Sequence, residues 1–233
     1  PAPLRSLGNQ GLSLMQRMLY ERVLETRVTG QAYLPRASRF IVAANHASHL
    51  DMGLVKHALG DDWGPRLVAL AAKDYFFDDP LKRAYFENFT NLIPMDRHGS
   101  IRESLRLAEE VIHEGSILLI FPEGTRSENG VMRDFKPSIG YLSLKNQIDV
   151  VPMYLSGTHD AMPKGRALPR RKTIAAHIGP TLTYQALRKA VEGLPKNEHN
   201  REVARIVEAA VRRMAPPGPN RVMSARLASD VDG

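Results

Sequence analysis

The stretch Phe40–Asp51 reads FIVAANHASHLD and joins an apolar run to a polar loop. Its first part, Phe40–Ala44, is short, bounded and rich in β-forming residue types, which predicts a buried strand. The polar residues that follow therefore lie beyond the carboxyl end of a strand, where open α/β sheets place their binding and catalytic groups. Ser48 and Asp51 have the spacing of a capping box, so we expect a helix to begin at about Ser48.

His46 and Asp51 are the residues of this loop that can carry chemistry. His46 lies in the loop and Asp51 in the first turn of the predicted helix. Because the two are not on one continuous helix, the carboxylate of Asp51 can fold back onto the imidazole of His46. A histidine oriented by a carboxylate has a fixed tautomer and can take a proton from a hydroxyl group. This stretch alone leaves a second interpretation open, in which Asp51 only caps the helix and His46 is an ordinary loop histidine.

A second polar loop, Phe121–Ser127 (FPEGTRS), follows the apolar run Ile117–Ile120. This run is another strand candidate, and its loop should open on the same edge of the sheet as the His46 loop. Further apolar runs alternate with amphipathic segments along the chain. The alternation predicts an α/β fold, a single domain with a mostly parallel central sheet flanked by helices.

The remaining elements are predicted from hydrophobic period and from turn residues. An amphipathic helix over Leu4–Leu24 would pack on the core of the domain or dock on a membrane surface. Pro152 indicates a bend or an edge position in its strand. The other predicted strands are 29–33, 67–72, 91–97, 150–155, 173–178 and 181–184, and the other predicted helices are 48–59, 80–89, 100–114, a segment that ends at about Leu144, and 200–214.

Charge and composition narrow the classes of function. The formal net charge of +7 implies attraction to anions, whether phosphorylated substrates, nucleic acid or an acidic membrane surface. The chain has no cysteine, which excludes thiol nucleophiles, disulfides and cysteine-type zinc sites. Aromatic residues make up only 6%, which argues against a protein that stacks single-stranded bases. No apolar run is long enough for a spanning helix, so a protein of this kind that acts on lipid should work at the interface.

Asn45, His46 and Asp51, taken together with the loop Phe121–Ser127, resemble the motifs of the glycerolipid acyltransferases. These enzymes include the bacterial 1-acylglycerol-3-phosphate acyltransferases, and the resemblance extends over residues 40–157. It implies an O-acyltransferase that moves a fatty acyl group from an acyl thioester to the hydroxyl of a glycerophosphate-type acceptor such as lysophosphatidic acid. The thioester, from acyl-CoA or an acyl carrier protein, is already activated. No nucleophilic serine or cysteine is therefore required, and we expect no cofactor and no metal.

The resemblance also implies roles for particular residues. His46 would be the general base and Asp51 the residue that orients it, while Arg97 would bind the acceptor phosphate through its planar guanidinium. Lys73, at the end of its own predicted strand, is a further predicted phosphate contact. The segment 151–153 resembles a weaker block that shapes the acyl-donor site. The other predicted acceptor-site residues are Glu123, Gly124, Thr125 and Arg126, and the predicted supporting groups are Asn45 and Ser48.

Several alternatives stay open at this point. Arg97 could be a solvated surface residue, and Glu123 could serve only in a structural salt bridge. Ser48 is predicted to cap the helix and not to act as a nucleophile. A metal site built from His46, His49 and Asp51 is disfavoured because neighbouring positions at a helix start do not point at one ion. A lipid hydrolase, or a non-catalytic basic module that binds lipid or nucleic acid, would also fit the sequence.

The sequence suggests three regions, residues 1–34 as an N-terminal amphipathic segment, 35–214 as the acyltransferase domain and 215–233 as a tail or linker. The expected partners are the acyl donor, a lysophospholipid acceptor and a membrane surface, but not nucleic acid. The expected location is cytoplasmic, peripheral at the membrane. Because the chain begins with Pro1, we expect a processed chain or a piece of a longer polypeptide.

Overall fold

The computed structural model describes residues 20, 22, 24–36, 39–72, 91–95, 100–163, 165–166 and 168–216. The strands in these ranges are β1 (Thr26–Thr29), β2 (Ile41–Ala44), β3 (Leu67–Ala72), β4 (Asn91–Met95), β5 (Ile117–Ile120), β6 (Val150–Ser156) and β7 (Ile174–Ile178). The helices are α1 (Leu50–Trp63), α2 (Ile101–His113), α3 (Ser138–Asn146), α4 (Thr158–Ala161), α5 (Tyr184–Ala190) and α6 (His199–Arg213). Short 3₁₀ turns cover Gln31–Tyr33 and Gly64–Arg66.

The strands form one sheet in the order β1-β7-β6-β2-β5-β3-β4. Every pairing is parallel except that of β6 with β7. The predicted α/β fold with a mostly parallel sheet flanked by helices is therefore confirmed. Strands β6, β2, β5, β3 and β4 all end at the same side of the sheet, which we call the carboxyl edge.

The sheet is covered on both faces, which explains why its central strands are continuous apolar runs. Along β2, the side chains of Val42 and Ala44 pack in the same cluster as the buried residues of α1. Ile41 and Ala43 point to the opposite face and pack in a second cluster with residues of α2, α3 and α6. This alternation follows from the two-residue period of a strand. Helix α1, which starts directly after the His46 loop, therefore packs on one face of the sheet, and α2, α3 and α6 pack on the other.

Three predicted elements differ from the structure. The first edge strand is Thr26–Thr29 and not 29–33, because Gly30 adopts a φ of 81° and turns the chain into the 3₁₀ segment that follows. Pro152 does not mark an edge, since β6 lies between β2 and β7. The strand predicted at 181–184 is only an isolated bridge from Leu182 to Val150, followed at once by α5.

The predicted stop of the first helix at Gly60 is seen as a break within α1, where Gly60 leaves helical geometry with φ of 69°. Tyr20 is buried and its hydroxyl donates to the carbonyl oxygen of Leu50 at the start of α1. The helices predicted at 80–89 and over most of 4–24, and the tail from 217 onward, lie outside the described residues. None of the described helices combines the length and the apolar character that a bilayer span requires.

Candidate active site

Two loops at the carboxyl edge meet because β2 and β5 are neighbouring parallel strands. The first loop runs from Asn45 to the start of α1, and the second follows β5 from Phe121 onward. Ser127 N–H donates to the carbonyl oxygen of His46 over 2.8 Å, which ties the backbones of the two loops together. The His46 loop and the FPEGTRS loop therefore form one site.

Asp51 fixes the orientation of the His46 imidazole through a hydrogen bond. Its side chain is completely buried, and its Oδ2 atom accepts a hydrogen bond from His46 Nδ1 over 2.8 Å. The same oxygen accepts from the backbone N–H groups of Ala47 (2.6 Å) and Ser48 (2.8 Å). Since this oxygen acts only as an acceptor, the neutral imidazole carries its proton on Nδ1. Nε2 is then left with a lone pair that can accept a proton.

The ring of His46 lies between protein and solvent. One face stacks on Phe121, with ring centroids 4.0 Å apart and an angle of 13° between the planes. The side chain is 22% exposed, so a substrate hydroxyl can reach it. No described residue hydrogen-bonds Nε2, whereas Nδ1 is fixed by Asp51. This is the arrangement that a general base needs.

Glu123 is a buried link between the two loops. Its Oε1 atom accepts from the backbone N–H of His46 over 2.7 Å, and its Oε2 atom accepts from the N–H of Arg133 over 2.8 Å. Burial raises the pKa of the Glu123 carboxyl, and these two hydrogen bonds oppose the rise. Both oxygens thus serve to position the protein backbone around His46, and the acceptor-binding role of Glu123 stays a prediction.

Asn45 and Ser48 connect the His46 loop to the strand and helix beside it. Asn45 makes two hydrogen bonds to the backbone of Leu155, accepting from its N–H over 2.7 Å and donating to its carbonyl over 2.9 Å. Ser48 Oγ donates to the carbonyl oxygen of Met162 over 2.7 Å and accepts from the N–H of Leu50 at the helix start. With these partners, the Ser48 hydroxyl is engaged in structure.

The turn that follows Glu123 exposes its next two residues. Gly124 has a φ of 74°, a conformation that glycine adopts without strain, and Thr125 is exposed beside it. Arg126 is half-buried, and its Nη1 hydrogen-bonds the ring Nε2 of His49, the residue directly before the first residue of α1. The guanidinium of Arg126 therefore lies against the first turn of that helix.

Two predicted phosphate contacts, Lys73 and Arg97, lie outside the described residues. The strands that precede them end at the carboxyl edge, β3 at Ala72 and β4 at Met95, with β3 between β5 and β4. Their roles in phosphate binding stay predictions. Segment 151–153 forms part of β6 and is buried. Within the described part of the chain, no group of three potential metal ligands is close enough to hold an ion.

Sequence reasoning missed two features of the site. Phe121 was the first letter of the second motif, but nothing in the pattern indicated that its ring would stack on His46. Lys136 belongs to neither motif, although its side chain crosses the turn at Gly124. Both contacts depend on how the loops fold back, which residue spacing does not encode.

Comparison with known proteins identifies the family to which both loops belong. Residues 25–156 match the model of the acyltransferase family, which spans both loops. A protein from Limnanthes douglasii named 1-acyl-sn-glycerol-3-phosphate acyltransferase is 34% identical over 132 residues, covering 54% of this chain and 44% of the relative. The human 1-acyl-sn-glycerol-3-phosphate acyltransferase alpha is 25% identical over 163 residues, covering 67% of this chain and 56% of the relative. The chain thus spans about half the length of these curated relatives.

The fold also has a solved counterpart. The crystal structure of the 1-acyl-sn-glycerophosphate acyltransferase PlsC from Thermotoga maritima aligns with a TM-score of 0.67 and 21% identity, over 92% of this chain and 83% of that one. At this level of identity the likeness supports the fold alone. The family match covers more than half of the chain and contains both loops. As the motifs suggested, the chain belongs to the acyltransferase family.

Proposed function

We propose that this chain transfers a fatty acyl group from an acyl thioester to a hydroxyl of a glycerophosphate-type acceptor such as lysophosphatidic acid. The observation that carries the proposal is the hydrogen bond from His46 Nδ1 to the buried Asp51, which leaves Nε2 as the proton acceptor. The relatives named 1-acyl-sn-glycerol-3-phosphate acyltransferase support the choice of acceptor. The positive net charge of the chain suits a phosphorylated acceptor.

The proposed reaction begins when His46 Nε2 takes the proton of the acceptor hydroxyl. The oxygen then attacks the thioester carbonyl, and the tetrahedral intermediate collapses with loss of the thiolate. The protonated imidazole returns its proton to that thiolate, so His46 ends the cycle neutral. Asp51 stabilises the imidazolium that exists between the two proton transfers and keeps the ring in one orientation. No covalent acyl-enzyme is needed, because the thioester is already activated.

A mass-spectrometric assay tests the proposal directly. The chain is incubated with lysophosphatidic acid, glycerol phosphate or a lysophospholipid, each with acyl-CoA and with acyl carrier protein as the donor. We expect an acylated phosphorylated acceptor, and we expect His46→Ala to abolish its formation while the variant stays folded. Free fatty acid as the sole product in the presence of acceptor would identify a hydrolase. Full turnover by His46→Ala would refute the assigned base.

The acceptor phosphate can be tested through Arg97, which the sequence resemblance singles out. Arg97→Ala should raise KM for lysophosphatidic acid more than it lowers kcat, because a phosphate contact acts in both ground and transition states. The matching acceptor is a monoacylglycerol, which lacks the phosphate. An unmodified chain that acylates the two acceptors equally well would contradict a phosphorylated acceptor class.

We propose further that the chain works at a membrane surface, docking through the loop between α4 and β7. This loop lies at the carboxyl edge, since β6 ends there and the antiparallel β7 begins there. Ser48 holds its start through the carbonyl of Met162. Leu168 is 74% exposed, and Arg166 Nε donates to its carbonyl over 2.8 Å. The exposed cations among the described residues of the loop are Arg166, Arg170, Arg171 and Lys172.

An exposed leucine among cations suits the boundary between acyl chains and anionic headgroups. Sedimentation with vesicles of phosphatidylcholine and phosphatidylglycerol tests this docking. Leu168→Ser should weaken binding about tenfold, as expected for removing about 1.5 kcal/mol of apolar burial. Arg170→Gln should weaken it about fivefold, the effect of one cation near an anionic surface. Leu194→Ser and Arg188→Gln are matched controls, because α5 and the turn after it follow β7 away from the carboxyl edge. Equal binding by all four variants would refute the docking loop.

A further inference from the structure

Lys136 crosses the turn that carries the second motif. Its backbone N–H donates to the carbonyl oxygen of Pro122 over 2.9 Å, which fixes the residue against the loop. A Cβ atom added to Gly124 would lie 2.5 Å from Lys136 Nζ, 3.0 Å from its Cε and 3.3 Å from its Cδ. The lysine stem therefore runs along the bare backbone of Gly124. Because Gly124 has no side chain, the ammonium group can lie over this turn at the carboxyl edge.

The ammonium of Lys136 has no carboxylate partner among the described residues. Glu123 directly precedes Gly124, and both of its oxygens accept from backbone N–H groups, those of His46 and Arg133. Asp134, two residues before Lys136, has an oxygen 3.3 Å from Arg212 Nη2. Lys145 provides a contrast, since its Nζ lies 2.9 Å from a Glu109 oxygen and 2.7 Å from the Tyr141 hydroxyl. The ammonium of Lys136 is therefore an exposed cation on the outside of this turn, and the neighbouring Glu123 carboxylate is buried and hydrogen-bonded.

Lys136 is also connected to the proposed base, His46, through Gly124 and its neighbour Glu123. Gly124, over which the ammonium lies, directly follows Glu123, and Glu123 hydrogen-bonds the backbone of His46 over 2.7 Å. A compact ammonium at the end of a flexible stem is well suited to bind phosphate as a point charge. A phosphate bound here would be carried by the same small molecule that presents its hydroxyl or its thioester to His46.

We propose that Lys136 is a phosphate-binding residue of the site, and that its ammonium binds a phosphate group of one of the two substrates. This inference rests on the proposed acyl transfer for its substrate classes. The phosphate can come from the acceptor, as a phosphate monoester, or from the donor, as the phosphates of CoA or of a carrier protein's phosphopantetheine. In either case the contact is electrostatic and weakens as salt is added.

The test compares Lys136→Gln with Lys136→Arg and with Lys189→Gln, an exposed lysine of α5 that serves as the matched control. Lys136→Gln should raise KM for the phosphate-bearing substrate about tenfold, the loss expected for one charge-assisted contact. Lys136→Arg should recover most of that loss because it keeps the charge. A rise for lysophosphatidic acid but not for a monoacylglycerol assigns the acceptor phosphate, and a rise in KM for the donor assigns the donor phosphate.

A binding measurement separates this inference from the proposed reaction. Glycerol 3-phosphate and CoA are titrated into the intact chain by calorimetry, and Lys136→Gln should bind one of them about tenfold more weakly than the unmodified chain and the Lys189→Gln control. If the unmodified chain shows no acyl transfer but this difference in binding is found, the reaction is wrong and the phosphate contact stands. Unchanged KM values in an active chain, or phosphate binding that is absent or equal in all variants, would overturn the role of Lys136.

Discussion

Replacing Asp51 by asparagine separates the charge of the carboxylate from its geometry. One oxygen, Oδ2, accepts from His46 Nδ1 and from the N–H groups of Ala47 and Ser48, whereas the buried Oδ1 has no hydrogen-bond partner among the described residues. The amide oxygen of asparagine can therefore occupy the Oδ2 position and keep all three hydrogen bonds. Its NH₂ group takes the place of Oδ1, so the substitution removes the negative charge and leaves the imidazole oriented.

The size of the effect follows from these contacts. A hydrogen bond to a charged group contributes about 1.5–3 kcal/mol and a neutral one about 0.5–1.5 kcal/mol. Asp51→Asn should therefore lose about 1–2 kcal/mol of imidazolium stabilisation in the transition state, which lowers kcat/KM about 5- to 30-fold. Asp51→Ala also removes the acceptor and frees the ring to rotate, so it should lose the whole contribution of general base catalysis, about 10²–10⁴-fold.

Initial rates of acyl transfer to lysophosphatidic acid measure both variants against Asp160→Asn. Asp160 is the matched control, because its carboxylate is 76% exposed and lies 3.7 Å from His159 in a second His–Asp pair. We expect Asp160→Asn to keep the unmodified rate. An initial rate for Asp51→Asn equal to that of the unmodified chain would refute the reasoning, because it would mean that the charge has no role. A rate equal to that of Asp51→Ala would also refute it, because it would mean that the asparagine does not keep the geometry.

Three further substitutions probe the contacts around His46. Because burial raises the pKa of Glu123, its contribution to stability is complete below the ordinary pKa of glutamate and is lost as pH rises through the raised value. The stability difference between the unmodified chain and Glu123→Gln, from urea unfolding, should therefore fall as pH increases from about 4, and a difference that grows would contradict the shift. Asn45→Ala leaves the N–H and carbonyl of Leu155 without their partner and should lower the free energy of unfolding by about 2–4 kcal/mol; a loss below about 1 kcal/mol in urea would contradict this. Phe121→Ala removes the ring stacked on His46 and should reduce kcat several-fold, about the effect of 0.5–1.5 kcal/mol, with Phe121→Tyr restoring it.

The central strands could be predicted from sequence because they are buried on both faces. Segment Leu67–Ala72 and segment Ile117–Ile120 are apolar runs with clear boundaries, and the structure has them at the predicted positions. Helix α2 was equally readable, since Ser100 caps it and its side chain accepts from the N–H of Glu103. In these elements the local pattern and the tertiary environment require the same residues, so the pattern suffices.

The edge strands and the loop contacts could not be read in the same way. Strand β1 has a mixed burial pattern, and its end is set by Gly30, whose fit against the backbone of Ile178 depends on β7. The motif around Glu123 fixes residue types but not the direction of a side chain. The carboxylate turns inward because backbone N–H groups of His46 and Arg133 are there to meet it. Such a partnership joins segments that are remote in sequence.

The structure separates opposite charges at the carboxyl edge. The two acids of the motifs, Asp51 and Glu123, are 0% and 3% exposed, and each accepts hydrogen bonds from ring or backbone N–H groups. Lys136 remains exposed on the outside of the same turn. A phosphorylated acceptor that approaches the turn at Gly124 therefore meets the ammonium of Lys136, while the carboxylate that orients the base stays buried. An aspartate introduced at the exposed Thr125 would break this separation. We expect Thr125→Asp to raise KM for lysophosphatidic acid more than for monoacylglycerol, and an equal rise for both would refute the argument.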